Sequence, residues 1–256
     1  MTIEAAGIEI RFGGVIALQD VSVSVAPGRV TAVIGPNGSG KSTLFNSITG
    51  LVPLHAGTVT LDGVDIRGLA PHRRIGMGIG RTFQTPRFDP TSRVIDAIIC
   101  GYYPVRRSNV AAVLLGLRSA MREEASFREQ AEGILADLGL SAFRDYPLSE
   151  LPMGHLRLVE VARAIANKPK YILLDEPAAG LTIAEQDTLA TEIRRLATNG
   201  VGVLLVEHNF GLVRSLADDV LVLDRGRELC RGRGESIERD PRVIEVYLGA
   251  SAKVPT

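Results

Sequence analysis

The stretch "RVTAVIGPNGSGKSTLFNSITGL", residues 29–51, decides the fold. A β-branched apolar run ends at Gly35, and a helix-like stretch beginning at Lys41 stops at Gly50. Between them "GPNGSGKST" (35–43) fits G-x-x-x-x-G-K-[ST] in the strand-to-helix frame that the pattern requires. Gly35, Gly38 and Gly40, with Pro36, Asn37 and Ser39 between them, let the backbone curl until successive N–H groups face one concavity. The helix that follows adds its positive end, which favours a polyphosphate. Lys41 supplies a cation for the outer phosphates and Ser42 a hydroxyl for Mg²⁺, with Thr43 closing the motif.

Working outward, turn signals and apolar runs alternate in an α/β pattern. "GTVTLDGVDI" (57–66) alternates like an edge strand with a D-G turn, and "DDVLVLDRGRELCRG" (218–232) reads as a hairpin. "YILLDEP" (171–177) and "VGVLLVEH" (201–208) are strongly apolar strands. Between them a helix starts at "TIAE" (182–185), where Thr182 and Glu185 have capping-box spacing. "RDPRVIEVYLG" closes the chain as a helix with Asp240 as N-cap and Pro241 in its first turn. From about 94 to 146 the periodicity turns helical and rich in Ala, Leu, Arg and Glu. The expected division is 1–84, the first part of a nucleotide-binding core; 85–155, a helical insertion; 156–224, the rest of the core; and 225–256, a closing hairpin and helix.

Composition excludes several classes. The 256 residues suffice for a buried core, and 29 basic side chains match 29 acidic ones, so no global charge draws the chain to nucleic acid. The basic run "RGRELCRGRG" (225–234) reads as a solvated hairpin edge. Cys100 and Cys230 stand alone, without zinc spacing, and fit a reducing cytoplasm. The start has neither the basic region nor the apolar core of a signal peptide, and "VAAVLLGL" (110–117) falls far short of the ~20 residues of a membrane span.

The second half of a nucleotide site is "ILLDEP" (172–177). Asp175, at the end of a buried strand, is placed to serve Mg²⁺, and Glu176 to polarise an attacking water. His208 ends the next apolar strand; parallel neighbours finish on the same edge, within reach of a γ-phosphate. "NKPK" (167–170) lacks the acid and the position of a guanine-reading motif, and "GMGIG" (76–80) lacks the frame of a dinucleotide site.

In order, then, the chain carries "GPNGSGKST", "RTFQ", a glycine turn before "RLVEVARAI", "LLDEP" and "VEHN". Over essentially its whole length it resembles the ATP-binding subunit of an ABC transporter. The resemblance implies a P-loop NTPase (RecA-like) α/β core with an antiparallel β subdomain and an inserted α-helical subdomain. It makes Phe12 the aromatic that stacks on adenine, and Gln84 a contact to Mg²⁺ or water that senses the transmembrane partner. "GIGRTFQTPR" (78–87), "DEPAAGL" (175–181) and "DPRVIEVYLG" (240–249) narrow the likeness to the ATPases of branched-chain (hydrophobic) amino-acid importers. Urea or amide importers and some lipid exporters share parts of it. Soluble relatives that act on nucleic acid or ribosomes usually carry paired ATPase halves, a coiled coil or zinc sites, none of which is here.

The family's signature turn, usually Leu-Ser-Gly-Gly-Gln, completes the ATP site of the opposing subunit. Here it reads Leu151-Pro152-Met153-Gly154-His155. Proline removes a hydroxyl and an N–H from the phosphate, up to about 1.5–3 kcal/mol or roughly 10- to 150-fold in affinity. Gly154 keeps close backbone approach, and His155 offers a ring N–H where the family has an amide. Thr182 likewise stands where the family usually has aspartate. An intact Lys41, Asp175, Glu176 and His208 beside a degenerate turn predicts pairing with a different ATPase subunit. The resemblance further implies two transmembrane permease subunits, an external substrate-binding protein acting indirectly, and peripheral attachment at the inner membrane face.

Overall fold

The computed structural model describes residues 1–83 and 88–251. In chain order the elements are β1 (Ile3–Phe12), β2 (Val15–Val25), β3 (Val30–Ile34), α1 (Lys41–Ile48), β4 (Ala56–Leu61), β5 (Val64–Asp65) and α2 (Pro71–Gly76). β6 (Ile79–Arg81), α3 (Val94–Ile99), α4 (Val110–Leu114), α5 (Arg118–Asp137), α6 (Met153–Ala166), β7 (Tyr171–Asp175) and α7 (Ile183–Thr198) follow. The chain closes with β8 (Gly202–Val206), α8 (Phe210–Leu216), β9 (Asp219–Asp224), β10 (Arg227–Gly232), α9 (Gly234–Glu238) and α10 (Pro241–Ser251).

Two compact units result: 1–79 with 170–176 and 193–256, and 80–169 with 177–192. The helical unit is therefore wider than the 85–155 segment that composition singles out. It keeps all of α6 and the first turns of α7.

In the first unit an antiparallel sheet runs β2-β1-β4-β5, and a second sheet runs β10-β9-β3-β8-β7. β3 pairs in parallel with β8 and β9, and β7 with β8, while β9 and β10 form the antiparallel hairpin. Its turn and the β4–β5 turn place Arg225-Gly226 and Asp62-Gly63 at positive φ, the twist that two-residue hairpins need. β3 is buried throughout, and its two faces feed different cores. Val33 packs into a cluster with Ile8, Phe45, Leu173 and Leu204, whereas Ala32 and Ile34 pack with Val213, Val222, Ile237 and Val243. Burial on both faces is why this strand reads as an unbroken apolar run.

In the helical unit α3, α5 and α6 pack together. Tyr102 stacks on Phe127 at 4.7 Å. The Thr182–Glu185 capping box forms as expected, with Thr182 N–H and hydroxyl donating to the Glu185 carboxylate at 2.7 and 2.8 Å. "VAAVLLGL" yields only the five residues of α4, and no helix among the described residues is long and apolar enough to cross a membrane.

Candidate active site

The loop after β3 enters α1 with Gly40 as N-cap, at φ 106°. A Cβ there would lie 2.6 Å from Leu18 Cδ2 and 2.9 Å from the Ala17 carbonyl, so glycine alone fits. Ser39 N–H closes the loop onto the Pro36 carbonyl at 3.2 Å, and the Ser39 carbonyl accepts from Gly226 N–H in the β9–β10 turn at 3.0 Å. Asn37 and Gly38 are exposed, and Pro36, Ser42 and Thr43 are half-buried. No side chain caps α1, so its first amides lack an intrahelical acceptor and suit an anion. Ser39 is 2% exposed, and its Oγ has no hydrogen-bond partner among the described residues. Lys41 Nζ, also buried, donates to the carbonyls of Gly35 (2.7 Å) and Pro36 (3.0 Å). Burial pulls its ammonium below the ordinary lysine range, and the negative charges of Glu176 and Asp175 oppose that pull.

Those carboxylates arrive at the loop through sheet register. Asp175 ends β7 opposite Val206 of β8, and Glu176 N–H bonds the Val206 carbonyl at 2.9 Å. Asp175 is 4% exposed. Glu176 sits at φ 48°, left-handed backbone that costs a residue with a Cβ about 1–2 kcal/mol. The surrounding ladder holds the side chain in place at that expense. Past β8, His208 Nδ1 lies 3.9 Å from Glu176 Oε1. That is too long for a hydrogen bond, but two groups so spaced can both bond one intervening oxygen. Glu207, buried between them in sequence, accepts from the N–H groups of His208 (3.1 Å) and Asn209 (3.4 Å) and so shapes the turn that carries the imidazole. Phe12 ends β1 as an exposed residue, 53% accessible, available to a planar partner.

In the helical unit, Pro152 is the N-cap of α6 and no side chain caps the helix. Leu151 is buried. A Cβ on Gly154 would lie 2.7 Å from the Gly180 carbonyl and 3.1 Å from Leu181 Cδ2, so this glycine also serves close packing inside the unit. His155 turns inward. Its Nε2 lies 2.8 Å from Glu185 Oε1, its ring meets Phe143 at 4.4 Å, and its Nδ1 is buried. The Thr182 N–H and hydroxyl, and then His155, hold the Glu185 carboxyl below its usual range. What the turn presents is backbone N–H rather than the imidazole expected from sequence.

Gln84 lies outside the described residues. Glu207, the Glu185 tether of His155, and Tyr247, which packs on Phe210, carry no motif; the nearest signals are the acid before His208 and the aromatic in "VIEVYLG".

The family model described as ABC transporter matches residues 18–179. The high-affinity branched-chain amino acid transport ATP-binding protein BraF of Pseudomonas aeruginosa is 36% identical over 96% of this chain and 97% of its own length. LivG of Escherichia coli, with the same description, is 33% identical over 95% and 96%. Among solved structures, a nucleotide-free ATP-binding cassette from an ABC transporter superposes with TM-score 0.82 at 34% identity, covering 96% of this chain and 99% of that one. The ADP conformation of MJ1267, an ATP-binding cassette of an ABC transporter, gives TM-score 0.82 at 34% identity over 97% and 99%.

Proposed function

The chain belongs to the ABC transporter family as an ATP-binding, ATP-hydrolysing subunit, and from that premise we propose that it powers uptake of branched-chain amino acids through a membrane permease. The observation that carries the reading is the gathering of Lys41, Asp175, Glu176 and His208 around the ends of β3, β7 and β8, beside a loop whose amides await an anion. The amino-acid class rests on the likeness to BraF and LivG.

The polyphosphate of ATP lies in the 35–43 loop, and Lys41 exchanges its carbonyl partners for phosphate oxygens. Ser39 gains an acceptor for its buried hydroxyl. Phe12 offers its exposed ring to the adenine. Glu176 orients the attacking water and accepts its proton, and His208 donates to the oxygen on which charge develops. Asp175, buried at the end of β7, and the half-buried Ser42 hydroxyl are hard oxygen donors, a set that suits Mg²⁺, which keeps waters and substrate phosphates as its remaining ligands. Ser42 and Asp175 would hold it, with Gln84. Bound there, the metal neutralises charge on the outer phosphates.

The uncapped start of α6, with Leu151, Gly154 and His155, serves the nucleotide on a second ATPase subunit through its backbone N–H groups. An intact catalytic set beside a turn that lost its serine favours a partner of different sequence, so that one composite site is strong and the other weak. Two permease subunits hold the pair at the inner membrane face and receive substrate from an external binding protein.

Glu176→Gln tests the reading. It keeps ATP binding and loses turnover by about 10²- to 10⁴-fold, the range for a general base. Purified with ATP and Mg²⁺ from detergent extracts of its native cells, it brings two multi-span permeases and a second ATPase. Deleting the gene abolishes uptake of labelled leucine but not of glutamate. Unchanged turnover overturns the assignment of the base, and ribosomal or DNA partners without membrane proteins overturn the transport role.

A further inference from the structure

The segment "YPVRRSNVAAVLLGLRSAMR", residues 103–122, takes no part in the proposed chemistry. Between Asp96 and Glu123 the chain carries four charged side chains, all positive: Arg106, Arg107, Arg118 and Arg122. The fold makes a fixed corner of this stretch. Asn109 caps α4 by accepting from Ala112 N–H at 2.8 Å. Gly116, at φ 60°, lets Leu117 N–H return to the Ala112 carbonyl at 3.0 Å, and α5 begins at the next residue. The two acids that follow turn back to the same corner. Glu123 accepts from the backbone N–H groups of Arg107 (2.8 Å) and Ser108 (3.0 Å), and Glu124 pairs with the Arg106 guanidinium.

What faces outward is apolar and basic. Leu114 is 82% exposed, Leu115 and Tyr103 75% each, and Val113, Leu117 and Met121 are exposed as well. Arg107, Arg118 and Arg122 stand exposed among them. Tyr102, the neighbour of Tyr103, is by contrast buried and stacked on Phe127. Side chains of this size gain nothing from water, and a run of them marks a contact surface. Leu114 and Leu115 are consecutive, so they leave the helix about 100° apart and splay instead of forming the one stripe that fits a protein groove. A fluid apolar phase accepts that splay. Arginines and a tyrosine at its margin suit a layer of phosphate headgroups.

We infer that residues 103–122 form a membrane-surface contact for anionic phospholipid, with the apolar side chains among the acyl chains and the arginines at the headgroup phosphates. The inference rests on the transport reading above for its place beside a membrane. A contact of this size is weak and reversible alone, and it adds to the hold of a permease through effective concentration.

Co-sedimentation of the purified full-length chain with phospholipid vesicles, without permease, tests it. With phosphatidylglycerol as half of the lipid, half of the chain should pellet at roughly 0.1–1 mM lipid, the range of a single acyl anchor. Vesicles of pure phosphatidylcholine should bind at least about tenfold more weakly. Leu114→Ser with Leu115→Ser should weaken binding about tenfold or more at any salt concentration. Arg118→Gln with Arg122→Gln should weaken it about 10- to 30-fold at low salt, at about fivefold per charge, and by less as salt rises. Val64→Ser, at an exposed apolar residue of β5, should bind as wild type. All these side chains are exposed, so the variants should melt with wild type.

A wild-type chain that ignores anionic vesicles refutes the contact, as does binding untouched by both double substitutions. If wild type ignores vesicles and the leucine pair strips permeases from the detergent extract, the face meets protein instead. If that pair turns a dimer into monomers in sedimentation velocity, the occupant is a second copy, and the lipid contact falls. Copurification with Glu176→Gln keeps the questions apart. Permeases without vesicle binding sink this contact alone, and vesicle binding without permeases sinks the transport reading alone.

Discussion

Replacing Ser39 by alanine should make the empty protein more stable and the nucleotide-bound protein less so. The Ser39 hydroxyl is buried with no hydrogen-bond partner among the described residues. A buried hydroxyl without a partner carries a desolvation cost of about 1–3 kcal/mol. Ser39→Ala removes that cost, adds no bulk and leaves the Ser39 backbone bonds to Pro36 and Gly226 intact. The empty chain should gain about 1–2 kcal/mol, a rise of roughly 2–8 °C in melting temperature for a protein of this size. With ATP the sign turns over, because a hydroxyl that bonds a charged phosphate contributes about 1.5–3 kcal/mol, or roughly 10- to 150-fold in affinity. At a concentration 100 times the wild-type Kd, ATP stabilises wild type by about 2.7 kcal/mol; after a roughly 100-fold loss the variant gains only about 0.4 kcal/mol. Thermal melts with and without ATP and Mg²⁺ should therefore cross. A variant less stable when empty, or one stabilised by ATP as much as wild type, would refute the argument.

Other perturbations are equally direct. Gly154→Ala sets a Cβ 2.7 Å from the Gly180 carbonyl, a backbone atom that cannot swing aside. The overpacking, about 1–3 kcal/mol, outweighs the up to ~1 kcal/mol that alanine brings to a helix, so the urea midpoint falls; a higher midpoint would mean the turn yields freely. Glu160, in α6, is 2% exposed, and burial raises its carboxyl to about 7 against the pull of Arg163. The folded state thus holds a proton that the unfolded state releases near 4.5, so the group's favourable contribution is complete below that pH and is lost as pH rises through about 7. Relative to Glu160→Gln, wild type should lose about 3 kcal/mol of stability between pH 4.5 and 8, and parallel pH profiles would contradict this.

The nucleotide loop was legible because its chemistry is local. Three glycines, a lysine and a serine within nine residues specify a curl, a charge and a helix start, and flanking apolar runs can only be strand and helix. The hairpins at Asp62-Gly63 and Arg225-Gly226 and the Thr182–Glu185 box were legible for the same reason. Long-range choices were not. Nothing near His155 announces that Glu185, thirty residues on, draws its ring inward, nor that Gly154 is needed against Gly180. The positive φ of Glu176 is imposed by pairing with β8, and the unit boundaries depend on which helices pack, which periodicity leaves open.

In the proposed reaction Lys41 competes with the ligand it would serve. Its ammonium has two carbonyl acceptors, at 2.7 and 3.0 Å. Arriving nucleotide must displace both, which lowers affinity below what the bare count of donors suggests. In exchange, departure of product leaves no stranded charge, and the ammonium returns to a waiting place.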